Sequence, residues 1–162
     1  MWKHVIGTIF ASAIGWIGAN GPASAGQIGR YECNVYGIQA PEPIGDHSGH
    51  SLVTTQFSCF GVDGIFKNAV YSAVNVSEWD GTKATQLQAG GTHRVAGGLA
   101  VTQIAEGTQS MIMKDGKPVG SEGSGTAAVK FASGTLAAIS GKTLKFTTRS
   151  TGPGRFILEF AD

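Results

Sequence analysis

The segment from Asp46 to His50 contains a D-H-x-x-H motif whose side chains could bind a metal ion. Imidazole and carboxylate groups are ligands of zinc, copper and nickel. The motif overlaps segment 38–49, where two prolines and two glycines favour an irregular loop that could fold both histidines onto one ion. Only Asp46, His47 and His50 are close in sequence, whereas a structural zinc ion takes four ligands. The alternative is therefore a solvated polar loop.

Two isolated titratable residues could act as a general acid or base inside a cavity. His93 is predicted to share a strand face with Leu87 and Ala89, so its side chain could point into the barrel. There it could be a catalytic base or a hydrogen-bonded core residue. Glu122 lies in the small-residue run GSEGSGT and faces the same way as Ser124 and Thr126. If that face lines a cavity, Glu122 is a candidate catalytic carboxylate. If the face is exposed, Glu122 is an exterior residue.

Three further residues are candidates for binding an apolar ligand. Met111 and Met113 share one face of a predicted strand, where their flexible thioethers could line an adaptable cavity or fill the core. Trp79 precedes an Asp-Gly turn signal, so it should lie at a strand end, where it could cover a ligand or a hydrophobic plug.

Cys33 and Cys59 are the two cysteines of the chain. In an oxidising compartment such a pair favours one disulfide. Cys33 alternates with Val35, and Cys59 with Phe57, so the two positions fall opposite each other if their segments pair around a loop near Asp46. Closing this loop would contribute about 3 kcal/mol. The absence of a C-x-x-C motif disfavours a redox role.

Residues 1–25 have the pattern of a secretory signal peptide. Lys3 is followed by an uncharged run, 5–19, which is shorter than the ~20 residues of a membrane-spanning helix. The A-S-A sequence before Gly26 fits signal peptidase cleavage, which would leave 162 − 25 = 137 residues. We expect one domain, 26–162, with no remaining transmembrane anchor, in the periplasm or outside the cell.

Alternation with a period of two runs through most of the mature chain, which predicts strands. Asp-Gly, Glu-Gly, Gly-Gly and Gly-Pro-Gly signals separate the alternating segments and favour tight hairpins. The nine candidate strands are 29–37, 51–60, 70–78, 83–95, 98–106, 108–114, 119–131, 144–149 and 155–160. Consecutive antiparallel strands in such number can curl into a closed barrel, which buries one face of the sheet and leaves no exposed edge strand. The predicted fold class is all-β, a single antiparallel up-and-down β-barrel of about eight to nine strands.

The composition excludes several functions. Without Lys3 the chain has 12 − 1 = 11 basic and 11 acidic residues, so there is no basic stripe for nucleic acid. No P-loop, dinucleotide fingerprint or nucleophile elbow is present, so no cofactor is expected. The few aromatic residues disfavour an outer-membrane barrel, which needs aromatic girdles.

The C-terminal part carries a more specific pattern. Residues 133–140, SGTLAAIS, predict a single helical turn before the last strands, and Gly134, Leu136, Ile139 and Gly141 form a G-x-L-x-x-I-x-G arrangement. This arrangement resembles that of small secreted bacterial proteins with the allene-oxide-cyclase-type barrel, a lipocalin-like (calycin-like) shape with many uncharacterised members. The resemblance implies the barrel. The catalytic carboxylate of the plant cyclases has no match by motif, so the reaction is not implied.

The sequence therefore favours a periplasmic or secreted barrel that binds a small apolar or amphipathic molecule in its interior. One alternative is a cyclase or isomerase that uses Glu122 or His93 in the same barrel. Another is an envelope interaction or inhibitor module that presents loop 38–49 to a protein partner, which the sequence does not identify.

Overall fold

The computed structural model describes residues 26–162. The predicted signal peptide, residues 1–25, lies outside the described residues. The strands are β1 (Gln27–Tyr36), β2 (Glu42–Pro43), β3 (His50–Gly64), β4 (Val70–Asp80), β5 (Lys83–Val95), β6 (Gly98–Lys114), β7 (Lys117–Gly134), β8 (Thr143–Gly152) and β9 (Arg155–Ala161). A short 3₁₀ turn, Ala137–Ile139, precedes β8.

Eight of these strands close into an antiparallel barrel. From β3 to β9 each strand pairs with the next, and β1 completes the circle by pairing with both β9 and β3. The ninth strand, β2, pairs only with the beginning of β3. The predicted all-β, up-and-down barrel is confirmed.

Successive side chains of each strand point alternately into the barrel and toward solvent. In β8 and β9 the inward residues Leu144, Phe146, Leu158 and Phe160 are at most 4% exposed. In β4 the inward face holds Tyr71, Ala73, Asn75 and Ser77, whereas Val70 and Val74 face outward and are partly exposed. The interior therefore mixes apolar and polar side chains.

Two expectations about the strands need correction. Segments 98–106 and 108–114 are not two strands but parts of β6, because Gly107 pairs with Gly125 across the sheet and a bulge near Ile104 absorbs the irregularity. Segment 38–49 is not wholly irregular, since β2 lies within it and forms a hairpin with β3.

The predicted disulfide is present. Cys33 of β1 lies directly opposite Cys59 of β3, and the two sulfurs are bonded inside the barrel, where both residues are at most 3% exposed. The disulfide therefore fastens the pair of strands that closes the barrel.

The two ends of the barrel differ. The end where β1 begins is here called the closed end. Phe66, Leu136 just before the 3₁₀ turn, and Ile139 within that turn are at most 3% exposed there and plug the interior. The opposite end, called the open end, carries the β2–β3 hairpin and the β4–β5, β6–β7 and β8–β9 turns. Within residues 26–162 no helix is long and apolar enough to cross a membrane.

Candidate functional site

A cavity of about 170 Å³ occupies the upper part of the barrel interior. Its lining extends from Gly154 and Arg155, in the β8–β9 turn at the open end, down to Tyr71 and Thr102 in the interior. The β1–β2 connection reaches the same opening, where Gln39 Nε2 donates a hydrogen bond to Thr55 Oγ1 at 2.7 Å. The cavity lining therefore reaches the open end of the barrel.

Two side chains of the cavity wall have amide oxygens without hydrogen-bond partners among residues 26–162. Asn75 is 7% exposed and its Oδ1 accepts no hydrogen bond. The Oε1 atom of Gln86 is also buried and unpartnered. Both residues line the cavity. Buried polar atoms in proteins are nearly always paired, so an unpaired couple on one cavity wall marks a place for a polar group.

A β-bulge places Gln86 inside the barrel. Val76 pairs with Gln88 but Ser77 pairs with Gln86, so Leu87 is an additional residue in β5. The bulge reverses the alternation, and Leu87 is 54% exposed while Gln86 points inward. This corrects the expectation that Leu87 and His93 share one strand face.

His93 lies beneath the cavity in a continuous hydrogen-bonded network. Its Nδ1 is 2.7 Å from the hydroxyl of Tyr31, and its Nε2 is 3.0 Å from Oγ1 of Thr102. The hydroxyl of Tyr71 is 3.2 Å from the same Oγ1. A neutral imidazole has one donor and one acceptor nitrogen, so this network satisfies both.

Burial determines the protonation of this network. Desolvation lowers the pKa of His93 to about 3, which keeps the ring neutral at ordinary pH. Burial also raises the pKa of Tyr31 and Tyr71, so both phenols remain protonated. His93 is 0% exposed and does not line the cavity. Its position is that of a hydrogen-bonded core residue.

Glu122 lies on the outside of the barrel. It is exposed, and its Oε2 atom is 3.8 Å from Nη1 of Arg149. Glu122 belongs to the wall of a broad outer groove, which also includes His47 and His50. Neither Glu122 nor His93 therefore supplies an acid or base to the interior cavity.

The three predicted ligand-binding residues do not line the cavity. Met111 and Met113 lie at the tip of the β6–β7 hairpin, which extends beyond the neighbouring strands, and Met113 is 47% exposed. Trp79 lies near the end of β4, where its Nε1 donates to Ser77 Oγ at 3.1 Å. The position of Trp79 at the open end agrees with its expected place at a barrel mouth.

The D-H-x-x-H residues come together at the open end. Asp46 Oδ1 is 2.7 Å from His50 Nδ1, and Asp46 Oδ2 is 3.2 Å from His47 Nδ1. One ligand atom from each of the three residues lies within 4.8 Å of those from the other two. The rings of His47 and His50 are stacked, with centroids 4.6 Å apart. The sequence motif is therefore also a spatial cluster.

Two carboxylates of β4 approach the other side of these rings. Glu78 Oε1 is 2.8 Å from His50 Nε2, and Asp80 Oδ1 is 3.3 Å from His47 Nε2. The register explains this contact, because His50 pairs with Asp80 across the β3–β4 ladder. Neither Glu78 nor Asp80 was predicted as a member of this cluster, because they meet the motif only through the pairing of β3 with β4.

The carboxylates shift the titration of the cluster. Hydrogen bonds to Asp46 and Glu78 raise the pKa of His50 above its usual value. The hydrogen bond with His50 is the main reason that the pKa of Asp46 is lowered to about 2. A protonated His50 can therefore donate to one carboxylate from each nitrogen.

Comparison of the chain with protein-family models, with curated proteins and with solved structures gives no match. The resemblance to allene-oxide-cyclase-type barrels thus stays a prediction from the G-x-L-x-x-I-x-G arrangement.

Asn75 and Gln86 are site residues that were not predicted from the sequence. For Asn75 a signal existed, because it shares a face with Tyr71 and Ala73 in the alternation of the predicted strand 70–78. For Gln86 there was none, because the bulge at Leu87 reverses the alternation of β5.

Proposed function

We propose that this barrel binds a small amphipathic molecule in the cavity at its open end, in the periplasm or outside the cell. The observation that carries the proposal is that Asn75 and Gln86 line an open cavity, and that the amide oxygen of each is buried without a hydrogen-bond partner among the described residues. A buried unpaired acceptor costs about 1–3 kcal/mol, and a ligand donor would offset that cost. A hydroxyl group suits this wall well, since it can donate to either oxygen.

The cavity volume limits the size of the ligand. An apolar cavity of about 150 Å³ in another protein holds benzene, so about 170 Å³ suits a single ring or a short chain. Phe57, Phe146 and Phe160 contribute apolar surface for such a group. A larger molecule would have to extend through the open end.

The charges at the cavity favour an acidic ligand. Arg149 and Arg155 are the charged members of the described lining, and no aspartate or glutamate belongs to it. Glu122 offsets the charge of Arg149, so the exposed Arg155 is the main group that attracts an anion toward the opening. We therefore infer a ligand with an apolar body, a hydroxyl group for the amides and a negative charge that remains near the opening.

Calorimetry with 4-hydroxybenzoate tests this proposal, because the compound combines one ring with a hydroxyl and a carboxylate. Tyramine keeps the phenol but reverses the charge, and should bind at least tenfold more weakly. Native mass spectrometry of protein purified from its own host should in parallel reveal a bound acidic molecule of similar size. Absence of binding to any single-ring acid, together with absence of a co-purifying molecule, would overturn the proposal.

A matched pair of variants separates ligand binding from folding. Ala89 lines the cavity and is 7% exposed, so Ala89→Leu should fill part of the cavity and abolish binding. Ala128 belongs to β7 and does not line the cavity, so Ala128→Leu should bind normally. Asn75→Leu removes one unpartnered oxygen, and should weaken binding while leaving the melting temperature equal or higher.

An interaction role for segment 38–49 is a second candidate. Ile38 and Ile44 of this segment are 93% and 43% exposed, so both offer apolar surface to a protein partner. Pull-down from envelope extracts, with the wild type and with the Ile38→Ser variant as baits, tests this role. A partner should be retained by the wild type and lost by the variant. A partner retained by both proteins, or by neither, would contradict this role.

A further inference from the structure

The Asp46–His47–His50 cluster has the chemistry of a metal site. Two imidazole nitrogens and one carboxylate form a ligand set that suits Zn²⁺ and similar divalent transition metals. We propose that Asp46 and the Nδ1 atoms of His47 and His50 bind one such ion. This site lies on the β2–β3 hairpin and is independent of the barrel cavity.

The distances are close to those of a coordinated ion. Two atoms bound to a tetrahedral zinc ion at 2.0–2.1 Å lie about 3.3 Å from each other. His47 Nδ1 is 3.2 Å from Asp46 Oδ2, and His50 Nδ1 is 2.7 Å from Asp46 Oδ1. Each Nδ1 atom therefore lies within about 0.6 Å of that separation from one carboxylate oxygen of Asp46.

The Nε2 atoms of His47 and His50 face carboxylates, which is the outer contact that metal-binding histidines usually make. Such histidines donate the N–H of their other nitrogen to a carboxylate or carbonyl, which fixes the ring and leaves the first nitrogen free for the metal. Glu78 is placed to accept from His50 Nε2 at 2.8 Å, and Asp80 from His47 Nε2 at 3.3 Å. Glu78 and Asp80 are therefore positioning residues.

The hairpin brings these groups together without an ion. Ile44 N donates to the carbonyl of His50 at 3.1 Å, and His50 N donates to the carbonyl of His47 at 3.4 Å. These bonds form a tight turn that stacks the two rings. The chain is therefore already ordered around the three side chains, and binding one ion requires the stacked rings to rotate so that both Nδ1 lone pairs converge.

The proposed ligand set is incomplete for a four-coordinate ion. Three protein ligands leave one position for water or a small external ligand, as in zinc sites that are not purely structural. His47 and Asp46 have side chains about half exposed, so that position is accessible from solvent.

Calorimetry with Zn²⁺ alone, on protein purified without a histidine tag, tests the site. The wild type should bind one Zn²⁺ per chain, and its melting temperature should rise with the Zn²⁺ concentration. His47→Ala, His50→Ala and Asp46→Ala should each weaken binding at least tenfold. A wild type without saturable binding, or a His47→Ala/His50→Ala double variant that binds as tightly, would overturn the proposal.

The positioning roles of Glu78 and Asp80 can be tested against Glu42, a carboxylate on the neighbouring strand β2. Glu78→Ala and Asp80→Ala should weaken Zn²⁺ binding by roughly 10–100-fold. Glu78→Gln keeps an oxygen acceptor for the imidazole and should recover part of the loss. Glu42→Ala removes an equal charge from the exposed strand β2 and should leave the dissociation constant unchanged. Equal effects of Glu42→Ala and Glu78→Ala would show that only overall charge matters, and would contradict the positioning role.

Replacement of Zn²⁺ by Co²⁺ gives an independent readout. The visible absorption of Co²⁺ depends on its coordination geometry and ligands, and imidazole ligation in a four-coordinate site should intensify it. His50→Ala should lose this spectrum, whereas Glu42→Ala should keep it. A spectrum identical to that of aqueous Co²⁺ in the wild type would overturn the proposal.

Discussion

The imidazole of His93 lies flat against the phenol ring of Tyr71, with ring centroids 3.9 Å apart and ring planes 8° apart. Phe66 also stacks on this imidazole at 4.9 Å, so the ring lies between two aromatic side chains. The histidine thus joins the plug of the closed end to the floor of the cavity. Its hydrogen bonds with Tyr31 and Thr102 make this junction specific rather than merely apolar.

Removal of the Tyr31 hydroxyl should destabilise the barrel. Tyr31→Phe deprives His93 Nδ1 of its partner in a site without solvent access, which should lower the free energy of unfolding by about 1–3 kcal/mol. Urea unfolding measures this change. Tyr36→Phe is the matched control, because Tyr36 is 48% exposed, and it should have almost no effect. Equal effects of the two substitutions would contradict the buried network.

His93 should make the stability of the protein fall in acid. Its pKa is about 3 in the folded state and near 6.5 in the unfolded chain, so between these values the unfolded chain binds a proton that the folded protein does not. Stability from this residue is complete above pH 6.5 and decreases as the pH falls toward 3, by at most about 1.4 kcal/mol per pH unit. The phenols of Tyr31 and Tyr71, which face the ring, are uncharged throughout this range.

The control for this pH dependence is a side chain that hydrogen bonds but does not titrate. His93→Gln should lose less stability than the wild type between pH 6 and pH 4, as measured by urea unfolding at each pH. Parallel curves for the two proteins would contradict a buried neutral histidine. Should His93→Gln fail to fold, the imidazole signals of the wild type in NMR report the same protonation directly.

The sequence predicts the barrel well but the interior poorly. Alternation and turn signals identify the strands, and the position of Cys33 opposite Cys59 follows from the pairing of two segments around one loop. Alternation alone does not say which face is inside when both faces mix small, polar and apolar residues. In β4, Val70 and Val74 face solvent and Asn75 lines the cavity. Which of these two faces lies inside depends on how the whole sheet closes.

Irregularities in the strands explain the remaining differences. The Glu106-Gly107 pair has the composition of a turn, yet it continues β6 because Gly125 is its neighbour across the sheet. The bulge at Leu87 likewise has no local sequence signal, although it determines that Gln86 enters the cavity. For the Asp46–His47–His50 cluster, the motif itself was visible in the sequence, whereas the contacts of Glu78 and Asp80 depend on the register of β3 against β4.

The disulfide should contribute substantially to stability. It closes a loop with a sequence separation of 26 residues, which corresponds to about 3 kcal/mol on a chain-entropy estimate. The Cys33→Ala/Cys59→Ala double variant should lower the free energy of unfolding by about this amount, measured in urea. Wild-type protein under reducing conditions is the control and should approach the variant. A reducing agent that leaves the wild-type curve unchanged, despite complete reduction, would contradict this contribution.

Two glycines that face each other across β6 and β7 should respond differently to alanine. A Cβ at Gly125 would collide with the backbone carbonyl of Glu106 and approach the Phe146 ring to 2.8 Å, and the backbone cannot move without breaking the ladder. A Cβ at Gly107 would instead meet no backbone atom among its nearest neighbours: it would lie 2.5 Å from Oε1 of Gln86, the end of a flexible side chain beside the cavity, and 3.2 Å from Cζ of Phe146.

Gly125→Ala should therefore lower the free energy of unfolding by roughly 3 kcal/mol, whereas Gly107→Ala should change it by less than about 1 kcal/mol. Because Gly107→Ala displaces the Gln86 amide, it should still weaken binding of 4-hydroxybenzoate in calorimetry. The two measurements separate the roles of these neighbours, since one glycine serves the barrel wall and the other makes room for a cavity residue. Equal losses of stability in both variants would contradict that distinction.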